Sequence, residues 1–545
     1  VPDKWISGHW RARLIVETAD IRRQKKRHHY KSLYLRSEIV ATIELASSLI
    51  SVCWHPRLPC TLAHGIDEFI STRIFMRFFT RPLTLALTLM ASLGAAAQDA
   101  TPPAPSSAAQ QLYASAQQDL LQLRVLLKNG NSQSSVGSGF LIGDSNLVVT
   151  NFHVISQIAL EPETYFGEYK DTSGESGSIE LLAVDVLHDL AIVRIARRGS
   201  GFFKVPHVPE GSEQPALVKL QQGQHLYSLG NPLDLGFTIS EGTYNGISAR
   251  GFSDQLMFTG AVNSGMSGGP NVTADGQVAG VNVAHRRDGE LVSFLVPVRY
   301  VQALLARVTS DMEPPKDFKP IIGEQLLEHQ SVMVEKLLEK PFSIKALGPY
   351  RVPVRESDQV RCWGNTDSSA KKAYTIASIN CSMESAIYVS NDMQTGHISM
   401  HHKYAHNKNL NAMQFSQLAS NMYGGQVYST AKSDTITPAF CSEDFIKHNN
   451  ISLRALVCAE AYHKFSDLYD FTLITASTDD SQTSLQSMIN IQGVAYDNGM
   501  KLVSRFLQGI DRAAPEPTET QTEMEPPEDE TSDTRAEPAT GEAEQ

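Results

Sequence analysis

Between residues 136 and 298 the chain alternates short apolar runs with glycine-containing or polar turns. The runs cover residues 139–143, 147–150, 179–186, 190–195, 226–229, 277–284 and 291–298. Runs of this length and spacing predict a mainly β domain, a sandwich or barrel, and not strand–helix units. After Val298 the spacing turns helical. Residues 300–308 predict a short helix closing that domain. Residues 309–340 read as a linker, marked by Pro314, Pro315 and Pro320, followed by an amphipathic helix over 321–339. Upstream, residues 98–114 are placed as a linker, flexible and rich in Pro, Ser and Ala over 98–108 and helical in character from 109. Residues 120–127 fit either a strand or a helix. Residues 341–511 mix strand-like stretches (350–354, 373–378, 386–390) with helix-like ones (411–422, 485–509), which predicts a smaller α+β domain. Residues 512–545 are rich in Pro, Glu and Thr, cannot bury a core, and are expected to be disordered. The β domain itself is placed at 115–308.

Composition adds context to this layout. A chain of 545 residues is too long for one hydrophobic core. Its formal net charge of -12 argues against nucleic acid as a partner. Residues 76–97 open on Met76 and Arg77, carry a short apolar run over 83–93, and end Ala95-Ala96-Ala97. A basic start, a short apolar core and a small-residue end are the pattern of a secretory signal peptide, with cleavage expected after Ala97. The apolar run is too short for a comfortable membrane span, so no stable transmembrane anchor is expected. Residues 1–75 lie upstream of that signal, and they read as a doubtful segment. The expected location is exported, periplasmic or secreted. Four cysteines follow the signal, and an even number in an oxidising compartment predicts two disulfides. Of the three pairings, Cys362–Cys381 with Cys441–Cys458 is favoured, because each closes a short local loop.

Candidate chemistry centres on Gly260-Ala261-Val262-Asn263-Ser264-Gly265-Met266-Ser267-Gly268-Gly269-Pro270. Glycines on both sides of Ser267 allow a tight loop that presents one hydroxyl and aims backbone N–H groups at a reacting carbonyl oxygen. His153 follows the apolar run at 147–149, and Asp189 immediately precedes another. A serine hydroxyl needs a neighbouring base to act as a nucleophile. His153 would be that base, Asp189 would hold its ring, and the N–H groups of Gly265 and Ser267 would form the oxyanion hole. The order His153, Asp189, Ser267 is that of chymotrypsin-fold proteases.

Four blocks carry a closer resemblance. They are Gly137-Ser138-Gly139-Phe140-Leu141-Ile142 with Thr150-Asn151-Phe152-His153-Val154-Ile155; His188-Asp189-Leu190-Ala191-Ile192-Val193; Ser228-Leu229-Gly230-Asn231-Pro232-Leu233-Asp234-Leu235-Gly236; and Val262-Asn263-Ser264-Gly265-Met266-Ser267-Gly268-Gly269-Pro270. In these the chain resembles the HtrA/Deg family of exported serine proteases. The resemblance implies two chymotrypsin-like β-barrels over about residues 115–305, with the site between them. No PDZ domain is recognisable in 341–511. Alignment to the chymotrypsin pattern puts Ala261 near the base of the substrate pocket and Gly280, Asn282 and Ala284 on its wall, which implies small or medium apolar residues before the scissile bond.

The resulting expectation is an exported serine endopeptidase acting on polypeptides, with no cofactor and no metal. Self-association is left open. The alternative is a catalytically silent protease-fold module that binds partners through its C-terminal domain. His397, His401, His402 and His406 are the one other cluster. His402 and His406 would share a face if the segment is helical, but it could equally be a strand and loop, no His-Glu-x-x-His pattern accompanies them, and exposed histidines are expected. Asp234 and Glu241 read as turn carboxylates.

Overall fold

The computed structural model describes residues 106–206, 219–285, 292–424 and 434–513; the expected signal peptide, the segment before it and nearly all of the acidic tail lie outside the described residues. The first element corrects the linker expectation. Residues read as linker up to 114 include most of α1 (Ser107–Ala116), whose Ser106 cap accepts from the Ala109 N–H at 3.1 Å. Capping of this kind satisfies an otherwise unpaired N–H of the first turn. Ala109, Leu112 and Ala116 are buried. The Ser106 N–H donates to Glu241 at 2.8 Å. Glu241 is therefore a strand residue that anchors the helix, and not a turn carboxylate.

The next segment is a strand, β1 (Leu120–Leu127). It is followed by β2 (Gln133–Leu141), β3 (Leu147–Thr150), α2 (Phe152–Leu160), β4 (Tyr165–Asp171), β5 (Ser176–Ser178), β6 (Glu180–Asp185) and β7 (Leu190–Arg194). The seven strands form one sheet in the order β5-β4-β1-β2-β3-β7-β6. This is the first of the two expected barrels, and its ladder has β5 and β6 as its edges. Only Ile179 separates those edges in sequence, and its N–H bonds the Gly167 carbonyl at 3.2 Å, so the chain itself joins the two sides. The second half is a closed barrel. Its strands are β8 (His225–Gly230), β9 (Thr238–Ser248), β10 (Gln255–Thr259), β11 (Pro270–Val272), β12 (Val278–His285) and β13 (Ser293–Pro297). Helix α3 (Val298–Leu305) closes it.

Helix α4 (Lys319–Leu338) leads into the C-terminal domain. Its Gln325 donates to the Val184 carbonyl and accepts from the Val186 N–H, both at 2.9 Å. One turn on, Gln330 accepts from Ala495 and Asn498. One helix thus ties the first sheet to the last domain.

That domain contains β14 (Ser343–Leu347), β15 (Tyr350–Val354), β16 (Val360–Asp367), β17 (Tyr374–Met383), β18 (Ile387–Ser390), β19 (Met393–Thr395), β20 (Ile398–Asn407), α5 (Ala412–Gly424), β21 (Phe440–His448), β22 (Ile451–Ala461), β23 (Tyr469–Ser477), β24 (Thr483–Val494), α6 (Tyr496–Gln508) and β25 (Asp511–Arg512). Its main sheet runs β16-β17-β20-β24-β23-β22-β21. The helix expected over 485–509 is a strand and a helix. β24 is central and buried on both faces, polar Ser484, Gln486 and Ser487 included, and the helix begins only after Val494. The disulfides Cys362–Cys381 and Cys441–Cys458 join directly opposed residues of β16/β17 and β21/β22. Each fastens an outer strand of the sheet to its neighbour, and closing loops of this size restricts the unfolded chain by roughly 3 kcal/mol.

The histidine cluster is also corrected. His401, His402 and His406 lie on strand β20, the strand alternative of the sequence reading, but the cluster is not simply exposed. His402 is fully buried. Its Nε2 donates to the Pro353 carbonyl and its Nδ1 accepts from the Ser487 hydroxyl, both at 2.8 Å. Burial pushes its pKa down to about 4. It is a neutral strut between strands. Among the described residues no group of His, Cys, Asp and Glu is arranged to hold a metal ion.

One half-buried acidic pair gives this domain a pH dependence. Glu460 and Asp470 face each other across β22 and β23. The Asp470 carboxylate accepts from the Tyr462 hydroxyl at 2.6 Å and the Gly493 N–H at 2.8 Å. Burial raises Asp470 to about 6, and burial with the Asp470 charge raises Glu460 to about 7. A carboxyl whose folded-state pKa is raised stabilises the fold in its protonated form, and that stability is lost as pH rises through the folded value. Thermal unfolding should therefore move to lower temperature between pH 5 and pH 8. Asp470→Asn keeps both acceptor bonds and should flatten that slope, raising stability at pH 8 by roughly 1–3 kcal/mol. An unchanged slope in the variant would assign the pH dependence elsewhere.

Candidate active site

Ser267 lies in the loop between β10 and β11, and glycine shapes that loop. Gly265 and Gly268 have φ of 91° and 84°, in the left-handed region that side chains rarely adopt. A Cβ on Gly268 would lie 2.2 Å from the Ser138 carbonyl and 2.4 Å from the Thr150 hydroxyl. The loop is therefore pressed onto β2 and β3, the strands that lead to His153. Ser138 fixes it there. Its N–H donates to the Ser267 carbonyl at 2.8 Å, and its hydroxyl donates to the Gly265 carbonyl at 2.7 Å while accepting from the Asn231 N–H at 2.9 Å. The Thr150 hydroxyl in turn donates to the Ser138 carbonyl at 2.8 Å.

From the other side, Asn282 braces the same loop. Its carbonyl accepts from the Gly268 N–H and its N–H donates to the Gly269 carbonyl, both at 2.9 Å. Its side-chain amide donates to the Leu229 carbonyl at 3.0 Å and accepts from Ser228 at 2.8 Å. Asn282 is fully buried. Its side chain therefore supports the loop from beneath. Gly280 is also buried, and a Cβ there would meet the Val296 carbonyl at 2.6 Å, so its role is close packing of β12 on β13. Ala284 pairs with Phe294 along the same two strands. Ala261 is half-buried at the start of the loop. The Met266 N–H is held by the Asn263 carbonyl at 3.0 Å. Engaged N–H groups at Met266 and Gly268 thus alternate with those of Gly265 and Ser267.

His153 is the second residue of α2. The N–H groups of a helix's first turn have no partners within the helix, and a carboxylate there is favoured by the dipole. Asp189 fills that place from a turn 36 residues away in sequence. It sits at φ 54°, a conformation that Asp tolerates better than most residues. Its backbone carbonyl accepts from the Phe152 N–H at 3.1 Å and from the Asn151 amide at 2.7 Å. One carboxylate oxygen accepts from the His153 N–H at 2.8 Å, and the other from His153 Nδ1 at 2.6 Å. Because a carboxylate only accepts, the proton is on Nδ1 and Nε2 is left as the basic nitrogen. Burial alone would lower the pKa of His153, but the charge and hydrogen bond of Asp189 outweigh it and raise the net value above the usual histidine value.

The Ser267 hydroxyl donates to the Val283 carbonyl at 3.3 Å. Among the described residues no hydrogen bond runs from Ser267 to His153. Such bonds are often absent or loose without substrate and tighten only in the complex. Asp234 ends the short 3-10 turn Pro232–Asp234 and accepts from the Gln122 amide. The sequence reading singled out His153, Asp189 and Ser267, gave no role to Ser138 or Asn231, and placed Asn282 only on the pocket wall. Ser138 and Asn231 stand in the quoted blocks, so their place beside the glycines was the available signal. The burial of the Asn282 side chain, which makes it a support of the loop, is not visible in the sequence.

Comparison with known proteins places this site in context. Residues 137–281 match the family described as a trypsin-like peptidase domain. The chain is 34% identical over 155 residues to the "Probable periplasmic serine endoprotease DegP-like" of Bartonella henselae, covering 27% of each chain. It is 25% identical over 230 residues to "Serine protease HTRA1" of Xenopus laevis, covering 40% of this chain and 47% of that one. The chain spans less than half the length of the curated relatives it matches. A crystal structure of the serine endoprotease from Yersinia pestis aligns with a TM-score of 0.30 at 23% identity, over 38% of this chain and 68% of that one.

Proposed function

We propose that the chain is a serine endopeptidase in which Ser267 attacks the peptide carbonyl, His153 moves the proton and Asp189 holds His153. The observation that carries the proposal is the double bond pattern of Asp189 on the His153 ring and backbone, beside a loop that glycine and Ser138 press onto the same strands. The cycle begins when the Ser267 hydroxyl turns from the Val283 carbonyl to His153 Nε2. Nε2 takes the hydroxyl proton as Oγ bonds to the substrate carbonyl carbon. The N–H groups of Gly265 and Ser267 stabilise the oxyanion, each worth roughly 3–4 kcal/mol. His153 then gives its proton to the leaving amine, and an acyl-enzyme remains. Water deprotonated by the same nitrogen hydrolyses that ester. The half-buried Ala261 supports a preference for small or medium apolar residues before the scissile bond. The disulfides and the periplasmic relatives support an exported, polypeptide-cleaving enzyme.

The base works only when neutral, so activity is lost as pH falls through the His153 pKa. Because that pKa is raised, the acid limb of kcat/KM should have its midpoint above the ordinary histidine value of 6.5. A midpoint below 6.5 would mean that Asp189 does not control the ring. The function itself is tested on denatured casein with purified, monodisperse full chain. Steady cleavage that vanishes in His153→Ala supports the peptidase. Casein bound but not cut would favour the binding module.

A further inference from the structure

We propose that Tyr388, on the β18–β19 hairpin of the C-terminal domain, is a positioning residue for His153, so that the C-terminal domain completes the active site. The inference rests on the peptidase reading above and deepens it. Three observations support it. First, the Tyr388 ring meets the His153 ring edge-on with centroids 5.9 Å apart. Edge-to-face contact at this range is a favoured aromatic geometry. The Tyr388 hydroxyl donates to Asn391 of its own hairpin at 2.8 Å. It also contacts Ser156, one turn beyond His153 on α2. Second, the hairpin is embedded and not merely adjacent. Ile387, Val389 and Met393 are buried in the same apolar cluster as Phe152, Val154 and Ile155, the residues around His153. Third, the far end of the hairpin is tied down. The Thr395 hydroxyl bonds the Tyr462 hydroxyl at 2.8 Å, and Tyr462 donates to the half-buried Asp470.

The physical consequence is a constraint on the imidazole. Asp189 fixes one edge of the ring through Nδ1, and Tyr388 covers an adjacent surface that would otherwise be open to water. A proton-transfer group must be held within a narrow geometry, and displacement by about 1 Å can cost roughly a hundredfold in rate. Without Tyr388 the ring gains room to swing about its χ angles and water gains access to the bond with Asp189. Nothing in the hairpin takes part in bond making, so its effect is on kcat more than on KM. The aromatic ring is the agent, and the hydroxyl contributes less.

The test compares full-chain wild type, Tyr388→Ala and Tyr388→Phe by casein hydrolysis and by the downfield proton resonance of the His153–Asp189 hydrogen bond. Tyr388→Ala should lower kcat by about tenfold to a hundredfold with KM little changed, and should broaden or abolish the resonance. Tyr388→Phe should retain the resonance and most of kcat. Melting curves identify a Tyr388→Ala protein that has failed to fold, and the Phe variant with the resonance then decides. Wild-type kcat and an intact resonance in Tyr388→Ala would overturn the proposal, as would equal losses in Ala and Phe. A rise in activity in Tyr388→Ala would also overturn it, because it would make the hairpin an obstruction. If wild type shows the resonance but cleaves nothing, the peptidase reading has failed and the resonance series still tests the contact.

Discussion

Ser267→Ala is expected to lower peptide hydrolysis by about a millionfold, to the level left by binding and the oxyanion donors alone. The expectation follows from the division of labour in the loop. The hydroxyl has no structural duty beyond one bond of 3.3 Å to the Val283 carbonyl. The loop is held by its backbone, by Ser138 and by Asn282. Removing the hydroxyl therefore removes the nucleophile and little else, and the melting temperature should stay close to that of wild type. Casein hydrolysis and thermal unfolding measured on the same preparation check both halves. Residual hydrolysis within a few-fold of wild type would move the nucleophile away from Ser267.

Asp189→Asn should have the second largest effect, about ten-thousandfold in kcat. The asparagine oxygen can still accept from the His153 N–H, so α2 keeps its cap. The new amide group faces Nδ1 as a donor, however. Nδ1 must then become the acceptor, which puts the ring proton on Nε2, where the base is needed. The account thus separates two duties of one carboxylate: stability depends on the oxygen that caps the helix, and rate on the oxygen that sets the tautomer. A large loss of kcat with a small change in melting temperature is the expected result. Parallel loss of both would mean that Asp189 is chiefly structural.

Much of the first half of this architecture could be read from sequence, because its signals are local. Short apolar runs between turns gave the strands, and glycines at 265 and 268 marked positions whose φ values exclude most side chains. His153, Asp189 and Ser267 each stood at the end of an apolar run or in a glycine loop, where chemistry is commonly presented. What could not be read is long-range. Asn282 looks like any polar residue of a strand until its burial is known. β24 is buried on both faces although Ser484, Gln486 and Ser487 are among its buried residues, and that burial of polar positions inside a sheet is not visible in the sequence. His402 looked exposed because a buried histidine needs partners such as Pro353 and Ser487, which lie 49 and 85 residues away. Tyr388 carried no signal, since its importance lies wholly in which helix its hairpin meets.

The central claim is that His153 and Asp189 make Ser267 a nucleophile. Labelling with a serine-directed fluorophosphonate, followed by mapping of the modified peptide by mass spectrometry, tests this most directly. The account predicts one label per folded chain, carried by Ser267, and none on Ser267→Ala or His153→Ala. A folded, monodisperse wild-type protein that takes up no label, or that carries it on another serine, would contradict the account.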